Sequence, residues 1–292
     1  MRVLNDLDLQ VPEGSLFGFL GPNGAGKTTT IRILLGLLRA TAGQATVLAQ
    51  DAWRAGPLLR RDTGYLPGDL RLYPQLTGRQ TLDILNAARG HRSTESIRRL
   101  AERFDLDLAK RVRDYSRGMK QKLGLMQAMM HRPKLLILDE PTIALDPLVR
   151  EWLFGELRDI AKQGNTVLFS SHTLSEVDEL CDWVAIVRHG KLIEQAATSS
   201  LRARSVRRVE VTFPPGAPPP KSLPNGLIVN HQSDHRLVGS HRGDVGALLD
   251  WIQKCQVIDV SIEKPGLEDL FMTYYADDGL ANASAKASED AL

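Results

Sequence analysis

Cysteine is nearly absent from this chain, with two residues in 292, Cys181 and Cys255. They have no metal-type spacing, no cluster of His and Cys accompanies them, and they read as two buried, reduced thiols of a cytosolic protein. A large excess of charge of one sign is also missing. The formal net charge is +2, so nothing global points to nucleic acid or to acidic substrates. No apolar run approaches the roughly 18 residues a membrane span requires; Leu34 to Leu38 and Leu135 to Leu138 are core-sized. The start, Met1 to Gln10, alternates apolar and polar residues, without the basic-then-apolar order of a secretory signal. The chain is therefore expected to stay on the side where it is made and to work on a membrane through a partner. What remains, 42% hydrophobic and 25% charged residues, is ordinary for a globular protein. The length allows one large domain, or a large one plus a small one.

Along the chain, Val3 to Val11 alternates with period two and reads as a strand before a turn at Pro12-Glu13-Gly14. Leu16 to Leu20, a Gly-rich loop and the pattern Thr28 to Leu38 make strand, loop, helix. Gly43 to Leu48 and Asp62 to Leu66 are short strands. From Leu76 to about Met130 the pattern is helical: Thr77 caps Gly78 to Ala88, Thr94 caps a helix through Leu100 to Phe104, and Pro133 stops the helix Gly118 to Met130. Leu135 to Leu138 is a strand, and Asp146-Pro147 opens a helix that Gly164 ends. Thr166 to Phe169 is a strand, Thr173 with Glu176 forms a capping box, and Val184 to Val187 and Leu192 to Glu194 form a hairpin around His189-Gly190. Composition shifts near a basic cluster, Arg202, Arg204, Arg207 and Arg208, read as a solvated linker. Strands at Arg208 to Phe213, Leu227 to Val229, Arg236 to Val238 and Val257 to Ile262 then surround a helix capped by Asp244, with Val245, Leu248, Leu249 and Ile252 on one face. A short amphipathic helix is expected at Leu267 to Tyr275 and a disordered tail at 277–292.

Gly21-Pro22-Asn23-Gly24-Ala25-Gly26-Lys27-Thr28 fits the P-loop pattern in full. Backbone that wraps phosphates needs residues without Cβ at its tight points, and its N–H groups with the following helix N-terminus face negative charge. Lys27 is placed to reach the β/γ-phosphates, Thr28 to offer its hydroxyl to Mg²⁺, and Thr29 to add a phosphate hydrogen bond. Leu135 to Leu138 ends in Asp139-Glu140, which puts one carboxylate where a second Mg²⁺ contact is needed and the other where a general base would polarise water.

Tyr115-Ser116-Arg117-Gly118-Met119 resembles, in degenerate form, the signature loop of the ATP-binding-cassette (ABC) family. Ala144-Leu145-Asp146 looks like its D-loop, Ser171-His172 like its switch-histidine loop, and Gly64-Tyr65-Leu66-Pro67 like the lead-in to its Q-loop. The resemblance covers about residues 3 to 200. It implies an α/β P-loop NTPase cassette with a helical subdomain, and two cassettes that dimerise head to tail around two ATPs. Each ATP would sit on Lys27, Thr28 and Glu140 of one copy and on Ser116 and Gly118 of the other, with Asp146 beside them. His172 would hold the γ-phosphate and the attacking water. Two departures stand out. Gly68 and then Asp69 follow Pro67, where the family places a Gln. The family's usual first strand, whose aromatic residue stacks on adenine, is absent ahead of Val3.

The C-terminal part resembles the small accessory domain of single-cassette exporters of the drug and antibiotic-resistance type, Leu267-Glu268-Asp269-Leu270-Phe271 matching their usual ending. The expected organisation is a cassette over 1–202, with its helical subdomain at about 70–132, an accessory α+β domain over 203–276 and the tail. The expected function is ATP hydrolysis, with ATP and Mg²⁺ bound, that powers a separate membrane permease at the cytoplasmic face, for export and without nucleic acid. The alternative is a non-transport ABC ATPase acting on ribosomes or nucleic acid, whose usual paired cassettes or long coiled-coil insertions are missing. A signalling GTPase is disfavoured by the lack of an Asn-Lys-x-Asp motif.

Overall fold

Leu16–Leu20 is buried at every position and forms strand β1, since a run apolar on both faces suits a strand covered on both sides. The computed structural model describes residues 2–204, 206–216, 220 and 222–263. From β1 the chain passes into α1 (Lys27–Leu34) and a small hairpin of β2 (Thr46–Val47) and β3 (Gln50–Asp51). Next come the single turn α2 (Gly56–Leu59) and β4 (Thr63–Leu66). Three helices follow without an intervening strand: α3 (Gly78–Ala88), α4 (Thr94–Phe104) and α5 (Arg117–Met129). Strands and helices then alternate as β5 (Leu135–Asp139), α6 (Pro147–Lys162), β6 (Thr166–Ser171) and α7 (Leu174–Leu180). The antiparallel pair β7 (Trp183–Arg188) and β8 (Lys191–Ala197) closes this part.

These strands make one sheet in the order β4-β5-β6-β1-β7-β8, parallel except for the last pair. Leu20 lies opposite Ser171, and Asp139 opposite Ser170. The loops after β1, β5 and β6 therefore leave the sheet side by side at its carboxyl edge, where ligands bind in open parallel sheets. One face of the sheet packs Phe17, Phe19, Ile137, Leu168 and Val187 against Ile31 of α1 and Leu35 at its C-cap. On the other, Phe154 of α6 meets Phe169 edge-on at 5.9 Å. Gly18 admits α7 to close range: a Cβ there would strike the Val177 side chain and lie 3.2 Å from the Cys181 sulfur.

The chain divides into two compact units, 1–197 and 198–292. The expected boundary after 202 falls inside α8 (Thr198–Arg204), which clusters with the second unit. That unit also contains β9 (Arg207–Thr212), β10 (Leu227–Gln232), β11 (Arg236–His241), α9 (Val245–Gln253) and β12 (Asp259–Ile262). Its antiparallel sheet runs β10-β11-β9-β12, over a core of Val209, Val211, Phe213, Leu227, Leu237 and Leu248. Leu249, expected on the packed face of α9, is exposed, because one residue is a rotation of about 100° from Leu248; Ile252 packs as expected, and Trp251 joins it. The helix expected at Leu267 to Tyr275 and the tail 277–292 lie outside the described residues.

Three other local expectations change. Residues 3–11 belong to no named strand, and the backbone bends at Asn5-Asp6, where Asp6 has a φ of 50°. Leu7, Leu9 and Val11 do pack on the core, while the backbone is held singly, through Asn5 N–H to the Gly190 carbonyl and through the Gln195 amide at Gln10. The cap of α4 is Ser93, and Thr94 is the helix's first residue, its hydroxyl accepting from the Asn86 amide at 3.1 Å. Thr173 caps nothing with its side chain, for reasons taken up below. Neither thiol is in a disulfide; Cys181 is buried, whereas Cys255 is half-buried.

Candidate functional site

The turn from β1 into α1 depends on Gly26, whose φ of 105° lies in the left-handed region at the N-cap of α1, a conformation Gly adopts without steric cost. Gly21 has no room for a side chain, since a Cβ would run into the Val187 carbonyl. Ala25 is buried in the core, and its N–H closes the loop on the Pro22 carbonyl at 3.2 Å. Pro22, Asn23, Gly24, Gly26, Lys27, Thr28 and Thr29 line a cleft of about 680 Å³.

Asp139 and Glu140 enter this cleft from the end of β5. The Glu140 N–H still donates to the Ser170 carbonyl of β6 at 3.0 Å. Its φ then turns to 53°, a conformation that carries strain for a residue with a Cβ. Gln121 of α5 fixes this turn by donating to the Glu140 and Pro141 carbonyls at 3.2 and 3.0 Å. The Thr28 hydroxyl donates to Asp139 at 3.0 Å. The Lys27 ammonium donates to the Gly21 carbonyl at 2.5 Å and lies 3.8 Å from Glu140. His172, on the loop after β6, places Nδ1 2.8 Å from the other Glu140 oxygen.

Burial lowers the Lys27 pKa, and the Glu140 and Asp139 carboxylates oppose that shift. The ammonium is thus a nearly buried cation whose neighbours are acceptors. Thr28 and Asp139 present hard oxygen donors side by side, which is the donor chemistry Mg²⁺ takes.

Ser116, Gly118 and Asp146 are not among the residues that line the cleft. They gather in a second place. The Ser116 hydroxyl caps α5 by accepting from the Met119 N–H at 3.2 Å. A Cβ on Gly118 would come within 2.6 Å of the Ala144 carbonyl. Asp146 caps α6 at the Val149 N–H and lies 3.9 Å from Lys122 of α5.

Sequence reasoning missed Arg32, Arg71 and the Tyr65 side chain, all of which line the cleft. Arg32 had a signal, being one helical turn after Thr28 on the same face of α1. Arg71 had none, because its loop has no period to read. Burial, followed by the Asp139 carboxylate, raises the Tyr65 pKa, so its hydroxyl stays protonated. Gly68 follows β4 directly beside Asp139, 3.3 Å separating the carboxylate from where a Cβ would stand. The Asp69 carboxylate is turned toward Arg71 instead.

A P-loop between a parallel strand and a helix, faced by two carboxylates from a neighbouring strand end, defines a nucleotide-hydrolysing P-loop domain. The model of the family described as "ABC transporter" matches residues 4–143. The bacitracin transport ATP-binding protein BcrA of Bacillus licheniformis is 34% identical over 93% of this chain and 92% of its own. The daunorubicin resistance ATP-binding protein DrrA3 of Streptomyces coeruleorubidus is 33% identical over 95% of this chain and 92% of its own. A solved ATP-binding subunit of an ABC transporter shares the fold with a TM-score of 0.64 at 30% identity, over 69% of this chain and 86% of that one. The chain belongs to the ABC transporter ATP-binding proteins. It is an ATP-binding and ATP-hydrolysing transporter subunit, and the relatives do not support the alternative of an ATPase acting on ribosomes or nucleic acid. Subunits of this kind work with membrane permeases, pair as cassettes and are membrane-associated. Among the described residues, no helix is long and apolar enough to cross a membrane.

Proposed function

We propose that this subunit drives an export permease from the cytoplasmic face of the membrane, with Glu140 as the general base of hydrolysis. The observation that carries the reading is the set of contacts on Glu140: Lys27 on one oxygen, His172 on the other, and the Thr28–Asp139 pair alongside. Lys27 exchanges the Gly21 carbonyl for β/γ-phosphate oxygens. The N–H groups of Asn23 and Gly24 and of Gly26 to Thr28, together with Thr29, hold the remaining phosphate oxygens. Thr28 and Asp139 would hold Mg²⁺, which would supply charge neutralisation when bound. Glu140 takes the proton of the attacking water as the bond to phosphorus forms, and His172 orients that water and the γ-phosphate.

Ser116, Gly118 and Asp146 stand apart from the cleft of their own copy and serve the ATP held by a second one. Export is inferred from the bacitracin and daunorubicin-resistance relatives, which match nearly the whole chain. Residues 198–292 are read as the accessory unit of such exporters.

Glu140→Gln tests the central assignment. An amide of the same size cannot accept the proton, so hydrolysis should fall by about 10²- to 10⁴-fold, the usual share of a positioned base. Mg-ATP binding, which uses Lys27, Thr28 and Asp139, should persist. Turnover at the wild-type rate, measured by phosphate release at saturating Mg-ATP, would remove Glu140 from this role.

A further inference from the structure

Arg71 lines the same cleft as Lys27 and Thr28 but belongs to the loop after β4 rather than to the P-loop. Among the described residues its guanidinium is held by Asp69, with Nε at 3.1 Å and Nη2 at 3.0 Å from the same carboxylate oxygen. Two donors on one oxygen forgo the parallel two-on-two geometry that gives an arginine–oxyanion pair its strength. The two side chains are 89% and 77% exposed, and ion pairs that exposed contribute little. Asp69 is thus a weak holder of a cation that already faces the site.

The loop itself is held against the site. Gly68 lies on Asp139, the carboxylate that accepts from Thr28. The acidic groups lining the cleft are Asp69, Asp139 and Glu140, and the cations are Lys27, Arg32 and Arg71. A bound triphosphate adds negative charge to this balanced set. Lys27 is buried beside Glu140, whereas the partner that Arg71 would leave is an exposed carboxylate, so Arg71 can change partner at little cost. A terminal phosphate offers it two oxygens in the geometry that Asp69 does not provide.

We propose that Arg71 is a further nucleotide-binding residue, which leaves Asp69 for the terminal phosphate of ATP and thereby favours ATP over ADP. The proposal rests on the P-loop reading of the cleft. Affinities of the full chain for Mg-AMPPNP and for Mg-ADP, measured by calorimetry, test it. Arg71→Ala should weaken AMPPNP about tenfold, the loss of one charge-assisted contact, and leave ADP within about twofold. Arg71→Lys should recover part of the difference, and Asp69→Asn should tighten AMPPNP with ADP unchanged. Unaltered selectivity in Arg71→Ala, or equal loss of both nucleotides, would overturn the proposal; retained ADP binding shows the variant is folded. Lys27→Ala separates this from the underlying reading. If that variant keeps wild-type affinity for both nucleotides, the P-loop assignment fails and the Arg71 proposal with it. If it loses both while Arg71→Ala keeps wild-type selectivity, the Arg71 proposal fails and the P-loop reading stands.

Discussion

His131 follows the last turn of α5, and its Nε2 lies 3.2 Å from the Thr63 carbonyl of β4. The carbonyl can only accept, so Nε2 carries the proton. Nδ1 is buried with no partner. Burial lowers the His131 pKa to about 4, helped by the nearby Arg89 guanidinium and opposed by the Thr63 carbonyl and Asp62. Between the unfolded value, about 6.5, and the folded one, the unfolded chain binds more protons than the folded chain. Stability is then expected to be intact above about pH 6.5 and to fall as the pH drops toward 4. With solvent screening of a partly exposed ring, about 1–2 kcal/mol should be lost by pH 5. His131→Gln keeps a donor for Thr63 and does not titrate. Its melting temperature should therefore change less between pH 7 and pH 5 than that of the wild type, and parallel curves would show that His131 does not titrate in this way.

The start of α7 shows how an element can form at its expected place by a different device. Thr173 and Glu176 have the spacing of a capping box, yet the hydroxyl at work belongs to Ser171. It accepts from the Thr173 N–H at 2.9 Å and donates to the buried Glu176 carboxylate at 3.0 Å. Ser171 is fully buried at the end of β6, so strand, cap and helix meet at one atom. Ser171→Ala would leave a part-buried N–H without its acceptor and remove a donor from a buried carboxylate, at a cost of about 1.5–3 kcal/mol. Thr173→Ala should stay within about 0.5 kcal/mol. Chemical denaturation of the two variants would check the contrast, and equal effects would restore the capping box.

The same distinction governs what could be read from the sequence. Periodicity reports which side chains meet a core. It located Leu7, Leu9 and Val11 correctly on the core, but a ladder needs a partner backbone, and residues 3–11 have isolated bonds instead. The bend of Gly21 to Thr28 was legible because glycine is required where the backbone turns left-handed or touches Val187. Gln121 and Arg71 were not, because each reaches its place through tertiary packing of a helix or loop.

At the scale of the molecule, one copy presents a phosphate cleft and, apart from it, the group Ser116, Gly118 and Asp146. A nucleotide shared between two copies would connect the cleft of one to that group in the other, so pairing should depend on bound ATP and be undone by its hydrolysis. Glu140→Gln, which binds without hydrolysing, should accumulate as a dimer with Mg-ATP and return to monomer when nucleotide is removed. Adding Ser116→Arg places a bulky cation where the second copy's ATP would dock, and should abolish the dimer. That change also removes the cap on the Met119 N–H, worth about 1 kcal/mol, so retained ATP binding by the monomer must accompany the loss to exclude misfolding. Size-exclusion chromatography with light scattering reads both effects. A Glu140→Gln protein that stays monomeric with ATP bound would mean that the cassettes cannot align by themselves and that the permease must hold them in register. A double variant that still pairs would take Ser116 out of the interface.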